Sequence, residues 1–177
     1  MHASAVYIKN EKGQLKAFIM DSEKGALKNV KLVKALELAY PEIKIISTET
    51  TLQLDYSTCG VFMLQALRYF AREGDQLFSS IDDFLHLKPA GDHFYLKPAF
   101  IPPKLLKLAQ CPILGDKNLP NTIRLSQAAL ETIVSAKKQL TLDQYLANNT
   151  VKIDQEEHSV VALKKKYGYF DLLEKII

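Results

Sequence analysis

The first 21 residues alternate between apolar and polar side chains with a period of two, which predicts a β-hairpin. The first strand covers residues 3–8, and the returning strand covers residues 15–20. Residues 10–13 between them are of the types that form tight turns. Because the strands of a hairpin are antiparallel, His2 and Asp21 are expected to lie at the same end of the sheet.

The next segments predict a helix followed by a third strand. Residues 29–39 repeat apolar side chains at helical spacing with lysines between them, and Pro41 ends this predicted helix. Residues 43–47 are apolar and form a short predicted strand.

A polar loop over residues 48–58 then leads to Cys59 and a second, strongly amphipathic helix over residues 60–72. The inward-facing stripe of this helix is predicted to consist of Val61, Leu64, Leu67 and Phe70.

The pattern is less regular in the second half of the chain. Residues 86–103 hold four of the seven prolines and are expected to be irregular. The remaining predicted elements are a short helix at 104–110, a loop at 112–122, one or two helices within 123–148 and a last helix over 160–176.

Together these elements predict an α+β fold. A small mixed sheet carries the Cys59 helix on one side, and a mainly helical C-terminal half follows. The length of 177 residues suits a single domain over 1–177, with its core in 1–75 and its helical part in 76–177.

Composition excludes several classes of protein. Hydrophobic residues make up 47% of the chain, too many for a disordered protein, and no apolar run reaches the roughly 18 residues of a membrane span. The net charge of +3 does not indicate nucleic-acid binding. Two cysteines do not make a disulfide framework and suit a reducing compartment. The histidines lack metal-ligand spacing, so no metal site is predicted.

Cys59 has the setting of a catalytic thiol. It lies between the polar loop and the first turn of a helix, where unpaired backbone N–H groups favour the thiolate. A nucleophile also needs a base and a third group that orients this base. His2 is the predicted base, and Asp21 is the predicted orienting group.

The oxyanion donors are expected beside the nucleophile. The amide of Gln53 and the backbone N–H groups of Cys59 and Gly60 are the candidates. Taken singly, each triad residue has an ordinary structural explanation, because a cysteine fills cores, a histidine flanks strands and an aspartate ends them. Their combination favours a thiol enzyme.

At these residues the sequence resembles the YopJ family of secreted bacterial effectors, within the clan of adenain-like and SUMO-protease-like cysteine enzymes. The spacing of His2 and Asp21 is similar to that of the family, and residues 53–62 (QLDYSTCGVF) resemble its nucleophile segment. Weaker similarity continues at residues 101–110, 137–140, 144–146 and 164–166.

This resemblance implies a papain-like or adenain-like cysteine-protease fold that acts as a protein acetyltransferase. Acetyl-CoA would load Cys59, and the acetyl group would pass to Ser, Thr or Lys of a host protein such as a kinase or another signalling protein. It also implies secretion by a bacterium into the host cytoplasm and activation by inositol hexakisphosphate. The matching activator-binding positions are Lys107, Lys138, Lys165 and Lys166.

The sequence departs from the family in two places. Family members carry a strand and regulatory helices before the catalytic histidine, whereas here His2 follows the first methionine, which predicts a shortened N-terminus. Residues 111–136 resemble an insertion between two family-like segments.

Two other functions remain open from the sequence. The same triad cleaves isopeptides in ubiquitin-like-protein proteases and deubiquitinases, many of which have Trp directly after the histidine. Here Ala3 follows His2 and the chain has no Trp, which favours acyl transfer. The third possibility is a catalytically inactive interaction domain, because residue 2 lies at a terminus, where chains fray.

Overall fold

The structure is a computed structural model that describes residues 3–21, 30–48, 52, 58–85, 93–96, 101–107, 109, 125, 127–153 and 156–174. Its helices and strands are β1 (Ser4–Glu11), β2 (Gln14–Asp21), α1 (Val30–Ala39), β3 (Lys44–Thr48), α2 (Cys59–Leu85), β4 (His93–Leu96), α3 (Pro103–Leu106), α4 (Gln127–Glu131), β5 (Ile133–Ser135), β6 (Leu140–Thr141), α5 (Leu142–Ala147), β7 (Thr150–Ile153), β8 (Glu156–Ser159) and α6 (Val161–Glu174).

Strands β1 to β4 form one mixed sheet in their chain order. The predicted hairpin is confirmed: β1 and β2 are antiparallel, and their register sets Ser4 opposite Asp21. Strand β3 runs parallel to β2, and β4 runs parallel to β3. The C-terminal ends of β2 and β3 therefore lie at the same end of the sheet as the start of β1.

Strand β2 is covered on both faces. Phe18 and Met20 belong to the core on the α2 side, whereas Ala17 and Ile19 pack with Val33 of α1 on the other side. A strand that is buried on both faces has a nearly continuous apolar sequence, as β2 has from residue 17 to 20. The sheet is thus the middle layer between the two helices.

Aromatic contacts fix the direction in which α2 crosses the sheet. The ammonium of Lys16 lies 5.9 Å from the ring centroid of Phe78, and the Phe18 ring lies 5.8 Å from that of Phe70. The later residue of β2 thus contacts the earlier residue of α2, so the helix and the strand run in opposite directions. The N-terminus of α2 points toward the end of the sheet where β2 stops at Asp21.

The predicted stripe of α2 is right for Val61 and Phe70, which are buried, and wrong in two positions. Leu64 and Leu67 are 51% and 49% exposed, and Phe62 and Ala66 are buried in their place. Both rows are apolar, so periodicity alone does not separate them. The aromatic row faces the sheet because its rings meet those of the first hairpin.

The second half of the chain contains more strand than its sequence predicts. Strand β4 interrupts the segment 86–103 that was expected to be irregular, and the hairpin β5–β6 interrupts the helices expected within 123–148. A further hairpin, β7–β8, precedes the predicted last helix, which is confirmed as α6. Among the described residues, the C-terminal half therefore contains three short helices, the longer α6 and two small hairpins.

At Gly74, α2 lies very close to the side chain of Tyr7 in β1. A Cβ atom at this position would lie 2.6 Å from the Tyr7 ring, which itself stacks on Phe70 and Phe78. Since the stacked ring cannot easily withdraw, the missing side chain determines how near the helix lies to β1.

We predict that Gly74→Ala lowers the free energy of unfolding by about 1 kcal/mol, because overpacking outweighs the better helix propensity of alanine. Gly168→Ala in α6 is the matched control: among the described residues nothing lies within 4 Å of its Cβ position. This control should raise the free energy of unfolding by about 0.5–1 kcal/mol in urea denaturation. Equal stabilisation by both substitutions would contradict the tight contact.

Candidate active site

Asp21 is completely buried at the end of β2. The Ser4 hydroxyl donates a hydrogen bond of 3.0 Å to Oδ2 of its carboxylate, and the Thr48 hydroxyl donates one of 3.3 Å to its backbone carbonyl. Two neighbouring strands, β1 and β3, thus hold the side chain and the main chain of Asp21. A carboxylate held in this way has a fixed orientation, which suits a group that must orient a histidine.

Cys59 is the first residue of α2 and is half-buried. The buried Thr58 precedes it, and the Thr58 carbonyl accepts hydrogen bonds from the N–H groups of Val61 and Phe62 at 2.9 and 3.2 Å. These bonds start the helix at Cys59. The thiol therefore lies at the positive end of the helix dipole, as the sequence predicts.

The direction of α2 brings Cys59 to the end of the sheet that holds Asp21. Cys59 precedes Phe70 by eleven residues, which is about 16 Å along a helix. Asp21 follows Phe18 by three residues, which is about 10 Å along a strand. Since Phe18 and Phe70 are in contact, both residues lie beyond this contact in the same direction.

Two of the predicted site residues, His2 and Gln53, lie outside the described residues. Gly60, the predicted oxyanion donor, is the second residue of α2 and is exposed. Within the described part of the chain, no atom lies within 4 Å of a Cβ built on Gly60. A ligand can therefore approach the backbone closely at this position.

A cationic cluster lies on the surface formed by α2, α3 and α6. We give this name to Arg68, Lys107 and Lys165. Burial, together with the positive charges of Lys107 and Arg68, lowers the pKa of Lys165 to about 8. Burial, followed by the charges of Arg68 and Lys104, also lowers the pKa of Lys107. The half-buried Lys107 and Lys165 and the exposed Arg68 thus bring three positive charges together.

Two neighbours complete the surroundings of the cluster. The Lys165 ammonium donates a hydrogen bond of 2.8 Å to Oε1 of Gln65. At the edge of the cluster, Lys104 forms an ion pair with Glu73, with Nζ–O distances of 2.7 and 2.8 Å. These contacts attach α6 and α3 to the same stretch of α2.

The four lysines predicted to bind an activator are not equivalent. Lys107 and Lys165 belong to the cationic cluster, and Lys166 follows Lys165 on α6 and is half-buried. Lys138 is exposed in the turn of the hairpin β5–β6, and not on a helix as its segment was expected to be. The reason is that the chain reverses here, with Gln139 at a positive φ of 51°.

Sequence reasoning missed Arg68, Gln65 and Ser4. Arg68 and Gln65 lie on α2, about 100 residues before Lys165, so no local pattern connects them. Ser4 could have been found, since the predicted antiparallel hairpin already sets the start of β1 beside the end of β2, where Ser4 lies opposite Asp21. No helix in the described part of the chain has the length and apolar character that crossing a membrane requires.

An α+β fold with a thiol at the start of a sheet-packed helix defines the class of cysteine-protease-like enzymes. The family model described as YopJ serine/threonine acetyltransferase matches residues 1–169. The chain therefore belongs to this family of acyltransferases, and the family inferred from the sequence is confirmed. No curated protein sequence matches the chain.

Solved structures that are similar to this chain include the following two. A deletion variant of AvrA, described with IP6 and CoA, is 23% identical with a TM-score of 0.74, covering 98% of this chain and 66% of that chain. HopZ1a in complex with IP6 and CoA is 12% identical with a TM-score of 0.54, covering 90% of this chain and 68% of that chain. These similarities confirm the fold, and the chain spans about two thirds of the AvrA chain.

We predict that Arg68→Gln moves the titration midpoint of Lys165 above 8, because one of the two repelling charges is removed. Nitrogen-detected NMR of the lysine ammonium groups measures this midpoint. Lys138→Gln, which removes a cation from the exposed turn, is the matched control and should leave it unchanged. An unchanged midpoint in Arg68→Gln would show that the charge of Arg68 does not contribute to the titration of Lys165.

Proposed function

We propose that this chain carries an acetyl group from acetyl-CoA, through a thioester on Cys59, to a Ser, Thr or Lys side chain of a host protein. The observation that carries the proposal is the position of Cys59 and the buried Asp21 at one end of the sheet, in a chain of the YopJ acetyltransferase family. His2 is the proposed base. In the sequence, His2 precedes Ser4, the hydrogen-bond partner of Asp21, by two residues.

The proposed reaction has two halves. His2 takes the proton of the Cys59 thiol, and the sulfur attacks the acetyl carbonyl. The bond between the acetyl group and coenzyme A then breaks, and coenzyme A leaves as a thiol with the proton that His2 returns. The acceptor hydroxyl or amine then loses its proton to His2 and attacks the acetyl-cysteine, which restores the thiol. In both halves, the N–H of Gly60 and the amide of Gln53 are the proposed donors to the oxyanion.

Asp21 has the role of orienting the histidine in this mechanism. A carboxylate that accepts the second N–H of an imidazole selects the correct tautomer and stabilises the imidazolium. Because the Asp21 side chain is completely buried and bonded to Ser4, it cannot turn away from its partner without losing a hydrogen bond. This rigidity supports its assignment to the triad.

The cationic cluster is the proposed site of an activating polyanion, inositol hexakisphosphate. Both similar structures are described with this compound. Arg68, Lys107 and Lys165 come from three separate elements and repel one another, so a compound with several phosphates would replace repulsion by attraction. Lys166 and Lys138 remain proposed contributors from the sequence alone.

The proposed place of action is the cytoplasm of a host cell, after secretion by a bacterium. This proposal is supported by the match to the YopJ family, because the sequence resembles the secreted bacterial effectors of that family. The proposed acceptor is a host kinase or another signalling protein, recognised by a surface that includes the end of the sheet around Cys59.

We predict that Cys59→Ala abolishes the gain of acetyl groups on incubation with acetyl-CoA and inositol hexakisphosphate, measured by intact mass, while the protein remains folded. Asp21→Asn should lower the rate of acetylation by about two to four orders of magnitude, because the imidazole loses its orienting carboxylate. Cys111→Ala, the other thiol of the chain, is the control with unchanged activity.

Acetylation that persists in Cys59→Ala would end the thioester mechanism. Wild-type turnover in Asp21→Asn would remove Asp21 from the triad. Cleavage of ubiquitin-like probes by the wild-type protein, without any acetylation, would assign the chain to the proteases instead.

We predict that the affinity for inositol hexakisphosphate falls as the pH rises above 8. The polyanion favours the ammonium form of Lys165, whose pKa is about 8 in the empty protein. Below pH 7 the ammonium is already formed and contributes no pH dependence. Above pH 8 binding must take up a proton, so the dissociation constant rises by up to about tenfold per pH unit.

Isothermal titration calorimetry at pH 7, 8 and 9 measures this dependence. Lys165→Gln is the control that removes the titrating group but leaves the protonation of the ligand itself unchanged. The slope above pH 8 should be steeper in the wild-type protein than in this variant. Equal slopes would exclude Lys165 from the binding site.

A further inference from the structure

The carboxylate of Asp21 requires partners because it is removed from water. Its residue is 0% exposed, and an ionised carboxylate is stable in such a place only when hydrogen bonds replace its hydration. The Ser4 hydroxyl, which donates to Oδ2 at 3.0 Å, supplies one of these bonds. The bond is local in space, since Ser4 and Asp21 are opposite each other in the hairpin register.

The hydrogen bond from Ser4 has a geometric consequence. A carboxylate is planar, so fixing the position of Oδ2 also fixes the direction in which Oδ1 points. The backbone of Asp21 is fixed independently, because the Thr48 hydroxyl donates to its carbonyl from the adjacent strand β3. The hydrogen bond from Ser4 therefore contributes to fixing the rotation about the last side-chain bond of Asp21.

We propose that Ser4 is a positioning residue for the acyl-transfer reaction, which holds the Asp21 carboxylate at the angle that the catalytic histidine requires. This inference rests on the proposed role of Asp21 in the triad. In this role Ser4 acts through Asp21 and not by contact with the reacting atoms. Its removal therefore affects the rate of the chemical step, and not the binding of acetyl-CoA.

A matched pair of variants separates the hydroxyl from the shape of the side chain. Ser4→Thr keeps the hydroxyl, Ser4→Val replaces it with a methyl group at nearly the same volume, and both residues suit a strand. Two rates are measured with Cys111→Ser as the background, so that only one thiol reacts. They are the alkylation of Cys59 by iodoacetamide and its acetylation by acetyl-CoA in the presence of inositol hexakisphosphate.

The threonine variant is expected to keep both rates within about twofold, whereas the valine variant loses about tenfold, as for a lost hydrogen bond to a charged group. The loss should appear in kcat, with KM for acetyl-CoA unchanged. In an Asp21→Asn background, threonine and valine at position 4 should give equal rates, because the group through which Ser4 acts is already altered.

The control is Ser79→Ala, which removes an exposed hydroxyl that donates to the backbone of Asp75, and it should not change either rate. Equal rates for Ser4→Thr and Ser4→Val would overturn the inference, as would a difference between them that persists in the Asp21→Asn background. Failure of only the valine variant to fold would make Ser4 a structural residue, which also overturns it.

The same experiment distinguishes this inference from the function on which it rests. If Asp21→Asn reacts as fast as the wild-type protein, the triad role of Asp21 and the role of Ser4 both fail. If Asp21→Asn is slow while Ser4→Val is fast, the triad stands and only the role of Ser4 is refuted.

Discussion

The aromatic contact between α2 and the first hairpin determines where Cys59 lies relative to Asp21. Phe70 packs on Phe18, and Phe78 lies beneath the ammonium of Lys16, so the helix runs in one direction only across the sheet. The start of the helix, with Cys59, consequently reaches the end of the sheet where Asp21 is buried. Gly74 lets the Tyr7 ring approach the helix closely, which keeps the two layers in register. The position of the thiol relative to the carboxylate is thus set by side-chain packing that lies at some distance from both groups.

The first hairpin could be predicted from the sequence because its information is local. An alternation of period two and a turn are sufficient to define an antiparallel pair, and the pair brings its two ends together. The inward face of α2 could not be predicted in the same way. Leucines and aromatic residues form two apolar rows on this helix, and only the rings on the sheet decide which row is buried. Strand β4 has only four residues and lies near several prolines in the sequence. Its hydrogen-bonding partner is β3, more than 40 residues earlier in the chain, so no local pattern predicts it.

The candidate site shows the same division between local and distant information. The setting of Cys59 at the start of a helix is evident from the residues that follow it, and the structure agrees. Lysines could be recognised as possible anion ligands, yet their sequence does not tell which of them converge. Lys107 and Lys165 meet because α3 and α6 both pack on α2, and Arg68 joins them from the helix itself. Lys138 is in a turn because the β5–β6 pairing overrides the helical pattern of its segment.

The cationic cluster also has a mechanical meaning. Its members belong to α2, α3 and α6, and the Lys165–Gln65 bond alone joins positions 100 residues apart in the chain. A polyanion bound between these elements would form a reversible, non-covalent link between segments that are far apart in the chain. Because the anion binds only while these elements are assembled, it stabilises the folded chain over states in which they have separated. The last helix would then be anchored firmly in the presence of the anion and would be the first part of the chain to detach without it.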